Sequence, residues 1–390
     1  MGRVVPLRIA SIALLLGVAA TGAAEPPAAP PPMTVGAASD APAATAVPGS
    51  EPTAPPAAAA APAPSAPLAR FDASRPEVQR FVSEVAMRDA MSRRRLLRLL
   101  RKAQPQPKII ELMNRQPERV LQWWEYRQLF LTERRIGEGA QFWLDHRAAL
   151  ERIAGESGIP AEYLVAILGC ETLYGRLTGR DRVLDSLATL AFDYPPRGEY
   201  FRGELEQFLL LTREEHLDPL AVKGSWSGAM GAPQFMPSAY RRYAVDASHN
   251  HRRDLWNDWS DVLASVANYL RQNGWQSGYP VLAAAHLDPA HELDAHLLDA
   301  ATTVDTLATQ GIRIDLSVPG STPVTLIAAE QQDGPAYRVG FNNFRAIVRY
   351  NHSTRYAMAV NDLAQAIAER VHAGSAAAAS LTSTSRVPPG

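Results

Sequence analysis

Apolar residues recur at helical spacing over much of the chain between residues 76 and 273. In the segment SRRRLLRLLRK, Leu96, Leu97 and Leu100 form an apolar stripe and the arginines lie mostly off it. Further helices are predicted over residues 197–215 and over residues 259–273, which Gly274 ends. The pattern indicates a helical body. The arginine face is typical of a solvated surface, with contact to anionic wall polymer or membrane as the alternative.

The spacing of apolar and polar residues changes between residues 280 and 350. The segments VTLIAAE, AYRVGF and AIVRY are short and rich in β-branched or aromatic residues, and turn formers such as Asp333-Gly334-Pro335 separate them. These features predict a small sheet. The predicted fold class is therefore mainly α, in α+β form, with a helical body and a small β insertion over about residues 280–350.

The two ends of the chain differ from this body. Arg3 and Arg8 precede an apolar run, and Gly22 and Ala24 stand where a signal peptidase cleaves, so residues 1–24 are predicted to be a secretory signal peptide. The run is shorter than the ~20 apolar residues of a membrane span, and an uncleaved anchor is the alternative. Residues 25–67, mostly Ala and Pro, are predicted to be a disordered linker, and residues 373–390 a disordered tail. The folded domain is then residues 68–372.

One carboxylate interrupts an apolar helix face. Within residues 158–175, Leu164, Ile167 and Leu168 recur at i, i+3 and i+4, and the next position of that series, i+7, is Glu171. Burial of a carboxyl group raises its pKa toward the range in which it can donate a proton at neutral pH. A general acid in glycoside cleavage needs that property.

Other interpretations of this helix stay open on periodicity alone. Glu171 can pair with Arg176 or Arg180, or reach solvent at the helix end. Cys170 beside it is expected to be a packed core thiol, because no neighbouring His supports a thiol nucleophile.

A second informative segment covers residues 223–246. Its Gly and Pro residues predict a constrained loop that can project Ser225 and Gln234 beside the flat ring of Phe235. Ser225 does not stand in a Gly-x-Ser-x-Gly nucleophile motif. A loop that uses its own Ser and Gln for internal hydrogen bonds is the alternative.

Tyrosines recur at positions that could line a groove: Tyr126, Tyr269, Tyr350 and Tyr356. Each of them, taken alone, is also a normal core residue. On the predicted helix over residues 259–273, Tyr269 shares a face with two valines, so it points inward.

Charge and cysteine content narrow the function classes. The 39 Lys and Arg residues nearly balance 40 Asp and Glu residues, so no positive field attracts nucleic acid. The single cysteine cannot form an intrachain disulfide, and no Cys/His cluster has zinc-ligand spacing.

Five motifs in one order then resemble the membrane-bound lytic murein transglycosylase B family. They are GCETLYG, LATLAFDYPPRGEYFRGELEQFLLL, SGAMGAPQFMPSAYRRYAVD, SVANYLRQNGW and RYNHSTRYAMAV, and the likeness runs over residues 71–371. The resemblance implies a lysozyme-like fold and cleavage of the β-1,4 bond between N-acetylmuramic acid and N-acetylglucosamine in peptidoglycan. The muramoyl 6-hydroxyl would close a 1,6-anhydro ring, with Glu171 as the single general acid and base.

The resemblance also implies roles for the other candidates. Ser225 would orient the substrate N-acetyl group and Gln234 would orient Glu171. The positions that match the groove lining are Phe235, Tyr126, Tyr269, Tyr350, Asn351 and Tyr356. No cofactor is required, and the expected partners are peptidoglycan glycan strands in the periplasm, with membrane contact only through an uncleaved N-terminal segment.

One segment departs from the family. Members often carry a calcium loop after the AVD sequence, whereas here Asp246, Ser248, Asn250 and Asp261 keep oxygen ligands but His251 replaces the turn Gly. We therefore expect no metal requirement, with calcium binding by the remaining oxygen ligands as the alternative.

Two rival functions remain at this stage, a muramidase that uses water and a wall-binding module without turnover. Retention of Glu171, Ser225 and Gln234 together argues against the second, because binding alone needs no buried acid.

Overall fold

The structure, a computed structural model, describes Ser11–Ile12, Thr34–Val35, residues 70–114 and residues 121–384, with side chains up to residue 374. Most of the predicted signal peptide, residues 1–24, and of the predicted linker, residues 25–67, lies outside the described residues. The helices are α1 (Pro76–Arg88), α2 (Arg93–Leu100), α3 (Pro107–Asn114), α4 (Trp123–Gln128), α5 (Glu133–Asp145), α6 (Arg147–Ser157), α7 (Ala161–Thr172), α8 (Val183–Asp193), α9 (Gly198–Glu214), α10 (Pro237–Tyr243), α11 (Trp259–Gln272), α12 (Val304–Thr309), α13 (Asn342–Asn351) and α14 (Thr354–Thr384). The strands are β1 (Ser11–Ile12), β2 (Thr34–Val35), β3 (Asp181–Arg182), β4 (Lys223–Gly224), β5 (Leu282–Leu287), β6 (Ala301–Thr303), β7 (Ile312–Ile314), β8 (Pro323–Ala328) and β9 (Tyr337–Gly340).

Helix α7 lies inside the helical body. Every residue from Tyr163 to Gly169 is buried, as expected for a helix that is apolar on all sides. Helices α5, α6, α11 and α14 pack around it. The end of α7, which carries Glu171, is therefore held by its neighbours on several sides.

The predicted β insertion is confirmed as a five-stranded antiparallel sheet with the order β6-β8-β9-β5-β7. It has a small core of its own around Leu307, Val324, Leu326, Val339 and Phe341. The fold class is thus the predicted one, a mainly helical α+β fold.

The segment AIVRY was predicted to be a strand, and this prediction is wrong. It lies in α13, where Asn343, Ala346, Ile347, Tyr350 and Asn351 are buried at the 3, 4 and 7 spacing of a helix. Its β-branched residues favour a strand only weakly, and packing on one helical face overrides that preference.

The arginine-rich segment forms its own helix, α2, because a turn with Ala90 at a φ of 50° separates it from α1. Leu96, Leu97 and Leu100 are buried and the arginines of α2 are exposed, which is compatible with a solvated face and with a face that contacts an anionic polymer or membrane.

The structure differs from the prediction at the C-terminus. Helix α14 continues to Thr384, into the segment from residue 373 that was predicted to be disordered. Ala, the best helix former, dominates there, which favours continuation of the helix. Within the described ranges, no helix is long and apolar enough to span a membrane.

Candidate active site

Glu171 stands near the C-terminal end of α7, where the backbone reverses sharply. Leu173, Tyr174 and Gly175 follow with φ values of 51°, 58° and 81°, all in the left-handed region. The Thr172 hydroxyl donates to the carbonyl of Ala232 at 2.8 Å and accepts from the amide of Gly175 at 3.0 Å. These contacts fix the last turn of α7 against the loop before α10, and with it the position of the Glu171 carboxyl group.

The Glu171 side chain is half-buried and densely surrounded by protein. Burial raises the pKa of its carboxyl group to about 8, against the opposing effect of a hydrogen bond from Tyr356. The Tyr356 hydroxyl donates that bond to Glu171 Oε1 at 2.6 Å. At neutral pH the carboxyl group is therefore mostly protonated, as a general acid requires.

Glu171 has no cationic partner in the described part of the chain. Arg176, one of the two arginines that could have paired with it, forms an ion pair with Glu138 at 2.5 Å. The carboxyl group is consequently held by a neutral hydroxyl, which leaves its pKa high, and not by a charge that would lower it.

Four of the predicted groove residues meet beside Glu171 in one aromatic cluster, which consists of Phe235, Tyr269, Tyr350 and Tyr356. The rings of Tyr269 and Tyr350 are 4.7 Å apart, and those of Tyr350 and Tyr356 are stacked at 6.5 Å. Phe235 lies 5.7 Å from Tyr269 and 5.9 Å from Tyr350. The four rings pack on one another and are almost fully buried, and the cluster meets the acid through Tyr356.

Hydrogen bonds fix the cluster to the backbone. Tyr350 donates to the carbonyl of Pro233 at 2.7 Å, and Tyr269 donates to the carbonyl of Arg349 at 2.7 Å. Asn351, next to Tyr350, is buried at the end of α13. The Tyr350 hydroxyl thus ties the loop before α10 to α13, and the Tyr269 hydroxyl ties α11 to α13.

The loop predicted to carry Ser225 and Gln234 is largely self-bonded. Ser225 Oγ lies 3.0 Å from Ser227 Oγ and accepts from the amide of Ala229 at 3.0 Å. The Gln234 amide nitrogen donates to the carbonyls of Gly231 at 2.9 Å and Thr178 at 3.2 Å. Gln234, at a φ of 51°, makes these bonds to backbone and not to Glu171.

Tyr126 lies on α4, apart from the aromatic cluster. Its ring is 5.2 Å from Phe130 and 6.3 Å from Trp123. The structure therefore places Tyr126 in a different packing group from the other predicted tyrosines.

Cys170 behaves as a packed thiol. Burial raises its pKa to about 12, with Arg135 opposing and Glu171 adding to the shift. A thiol with so high a pKa stays protonated and is a poor nucleophile.

Sequence reasoning missed two residues near the site. Tyr243 lies 4.7 Å from Tyr269 and extends the ring packing. Glu204, buried on α9, accepts from the Ser238 amide at 2.9 Å and the Ser238 hydroxyl at 2.6 Å, which ties the start of α10 to α9. No local pattern connects Glu204 to Ser238, which follows 34 residues later.

The altered loop between Asp246 and Asp261 is closed by its own backbone amides. Asp246 accepts from the amides of Asn250 at 3.1 Å and His251 at 2.8 Å. The buried carboxylate of Asp261 accepts from Ala247 at 2.8 Å and, through its other oxygen, from Asp254 at 2.9 Å. Backbone N–H groups thus bond the carboxylate oxygens of this loop in the structure.

Comparisons with known proteins identify the family of this chain. A family model described as "Transglycosylase SLT domain" matches residues 73–365. Over 305 residues the chain is 38% identical to membrane-bound lytic murein transglycosylase B of Escherichia coli K12. The matched region covers 76% of this chain and 84% of that protein. The X-ray structure of catenated lytic transglycosylase SltB1 from Pseudomonas aeruginosa matches with a TM-score of 0.73 and 41% identity, over 76% of this chain and 98% of that one. The structure of E. coli lytic transglycosylase Slt35 in complex with calcium matches with a TM-score of 0.72 and 38% identity, over 77% and 96%.

Proposed function

The chain belongs to the transglycosylase SLT domain family and is a peptidoglycan lytic transglycosylase, and we propose that Glu171 is the single acid and base of its reaction. The observation that carries the proposal is the hydrogen bond from Tyr356 to a carboxyl group that is densely surrounded by protein and has no cationic partner in the described part of the chain. Such a group is protonated at neutral pH and becomes a base once it has given up its proton.

The proposed reaction uses that change of role. The Glu171 carboxyl group donates its proton to the oxygen between N-acetylmuramic acid and N-acetylglucosamine, and the bond from that oxygen to the muramoyl C1 breaks. The carboxylate then takes the proton of the muramoyl 6-hydroxyl, whose oxygen bonds to C1 and closes a 1,6-anhydro ring. The nucleophile belongs to the substrate, so proximity replaces the second carboxylate of ordinary glycosidases.

The neighbouring side chains would bind and orient the sugars. Phe235, Tyr350 and Tyr356 are almost fully buried and are proposed to support the sugar site from behind, and Ser225 is proposed to orient the N-acetyl group. Gln234 is proposed to orient Glu171, and it would do so through the backbone of its loop, because its amide nitrogen is already bonded there. Replacement of Glu171 tests the proposal, since a residue that only binds sugar would leave bond cleavage in place.

We propose that the mature chain begins near Glu25 and acts in the periplasm. The short apolar run with Gly22 and Ala24 at cleavage positions supports this proposal. N-terminal sequencing of the exported protein is expected to start near Glu25. A start at Met1 in a salt-resistant membrane fraction would instead show that the segment is an anchor, as the name of the membrane-bound E. coli relative would suggest.

Calcium is expected to stabilise this chain little, although Slt35 was crystallised with it. The amides of Asn250 and His251 already satisfy Asp246, and Arg253 pairs with Glu215 beside the loop. An ion at 100 times its dissociation constant would add about 2.7 kcal/mol, enough to raise the melting temperature of a domain of about 300 residues by about 4 °C. Melting curves with chelator and with millimolar calcium should coincide. A clear rise with calcium would show that carbonyl and side-chain oxygens displace the amides.

A further inference from the structure

Four exposed arginines of α2 form a surface of one charge. Residues 93–108 contain Lys and Arg but no Asp or Glu, although the whole chain has a net charge of −1. Arginines recur at i, i+4 and i+7 along one side of α2, and a fourth lies beside them. We propose that this basic surface binds the anionic headgroups of a phospholipid bilayer. It consists of Arg94, Arg95, Arg98 and Arg101.

The basic surface has no counter-charge within the described part of the chain. Its four side chains are exposed, and they form neither ion pairs nor hydrogen bonds there. By contrast, the guanidinium of Arg88 on α1 pairs with Glu206. Like charges three and four residues apart destabilise a helix, so the stability of α2 does not explain this row.

The exposed carboxylate of α1 does not neutralise the basic surface. Arg93, at the start of α2, donates to Gln79 and Ser83, so these two residues mark the side of α1 that faces α2. Glu84 follows Ser83 and lies about 100° further round the helix, at 3.6 residues per turn. The positive charge of α2 is therefore left to an external anion.

An exposed apolar side chain next to the basic surface favours a bilayer as the source of that anion. Met87 is 85% exposed and lies one helical turn after Ser83, which contacts Arg93 at the start of α2. At a bilayer the arginines would meet lipid phosphates while the Met87 side chain enters the boundary with the acyl chains. A carboxylate polymer in water would offer no such contact to Met87.

The contact is expected to be peripheral and reversible. Leu96, Leu97 and Leu100, which form the apolar face of α2, are buried in the core and cannot enter a membrane. Binding would therefore rest on charge and on one methionine. It needs no part of residues 1–24, so it departs from the expectation that only the N-terminal segment contacts a membrane. It would concentrate the mature enzyme at a membrane beside the wall.

Sedimentation of the exported protein with vesicles tests the inference. Vesicles of equal parts phosphatidylglycerol and phosphatidylcholine are compared with vesicles of phosphatidylcholine, which measure any contribution of the N-terminal segment. One arginine near an anionic surface contributes about 5-fold in affinity, so Arg94→Gln together with Arg98→Gln should weaken binding to the anionic vesicles about 25-fold. Met87→Ala should weaken it about 3-fold to 5-fold. In ~1 M salt, where the Debye length is ~3 Å, the preference for anionic vesicles should disappear.

Arg147→Gln together with Arg271→Gln is the matched control. Both arginines are exposed helical residues, on α6 and α11, and the net charge changes by the same amount. The control protein should bind vesicles as the wild type does. Every variant should release muropeptides from purified peptidoglycan at the wild-type rate, so the outcome does not depend on the role of Glu171.

Two results with vesicles would overturn the inference. One is equal binding of the wild type and the Arg94→Gln, Arg98→Gln protein to the anionic vesicles, and the other is equal binding of the wild type to both kinds of vesicle. A third result, sedimentation with purified peptidoglycan that is lost in the same variant while no protein binds vesicles, would also overturn it and assign the basic surface to the wall polymer.

Discussion

Glu171→Gln should reduce peptidoglycan cleavage to background while sugar binding survives. Gln keeps the shape of the side chain and can still accept a hydrogen bond from Tyr356, but it can neither donate nor take up the proton of the reaction. General acid–base catalysis contributes about 10²–10⁴-fold for one proton transfer, and both transfers would be lost. The rate of muropeptide release from purified peptidoglycan measures the first effect, and sedimentation of the protein with the same material measures the second.

The same helix supplies a matched control. Glu162, in the first turn of α7, is also half-buried, and burial raises its pKa as well. Glu162→Gln makes the same chemical change at the far end of the helix from Glu171, so cleavage should continue at the wild-type rate. Wild-type activity in Glu171→Gln would show that another group supplies the proton.

Tyr356→Phe should lower the rate and move its pH dependence to higher pH. The hydrogen bond from Tyr356 favours the charged form of Glu171, so its loss raises the pKa of Glu171 further above the ordinary value. Cleavage needs the protonated carboxyl group, so kcat/KM of the wild type is expected to fall on the alkaline side near pH 8. In Tyr356→Phe this fall should occur at a higher pH. Loss of a hydrogen bond to a charged group costs about 1.5–3 kcal/mol, which predicts a rate about 10-fold to 100-fold lower.

Tyr163→Phe controls for the removal of a buried hydroxyl that contacts α14. The Tyr163 hydroxyl donates to Asn361 at 3.0 Å and makes no hydrogen bond with Glu171. Loss of this hydroxyl should leave the alkaline side of the pH profile of kcat/KM unchanged, even if the protein melts at a lower temperature. An unchanged pH profile in Tyr356→Phe would mean that Tyr356 does not set the protonation of Glu171.

The sequence predicted the catalytic candidate because its signal is local. Glu171 interrupts an apolar series within one helix, and that helix is present, although it is buried on all sides and not on one face only. Its hydrogen-bond partner could not be found in the same way. Tyr356 lies 185 residues further along the chain, and only tertiary packing of α14 against α7 brings the two together.

The loop and the sheet show the same limit of prediction from the sequence. A constrained loop was predictable from Gly and Pro, but the actual bonds of Gln234, to Gly231 and Thr178, depend on a left-handed backbone that no residue type specifies. The segment AIVRY was misassigned because short apolar runs have no clear period, and burial at helical spacing became visible only in α13.

The masses of the products released from purified peptidoglycan test the central claim most directly. If Glu171 first protonates the leaving oxygen and then takes the proton of the muramoyl 6-hydroxyl, the ring closes without water. The wild-type enzyme should then release muropeptides that lack a reducing end and are lighter by one water than those of a muramidase. Muropeptides with reducible ends as the main product would contradict the account and show that water is the nucleophile.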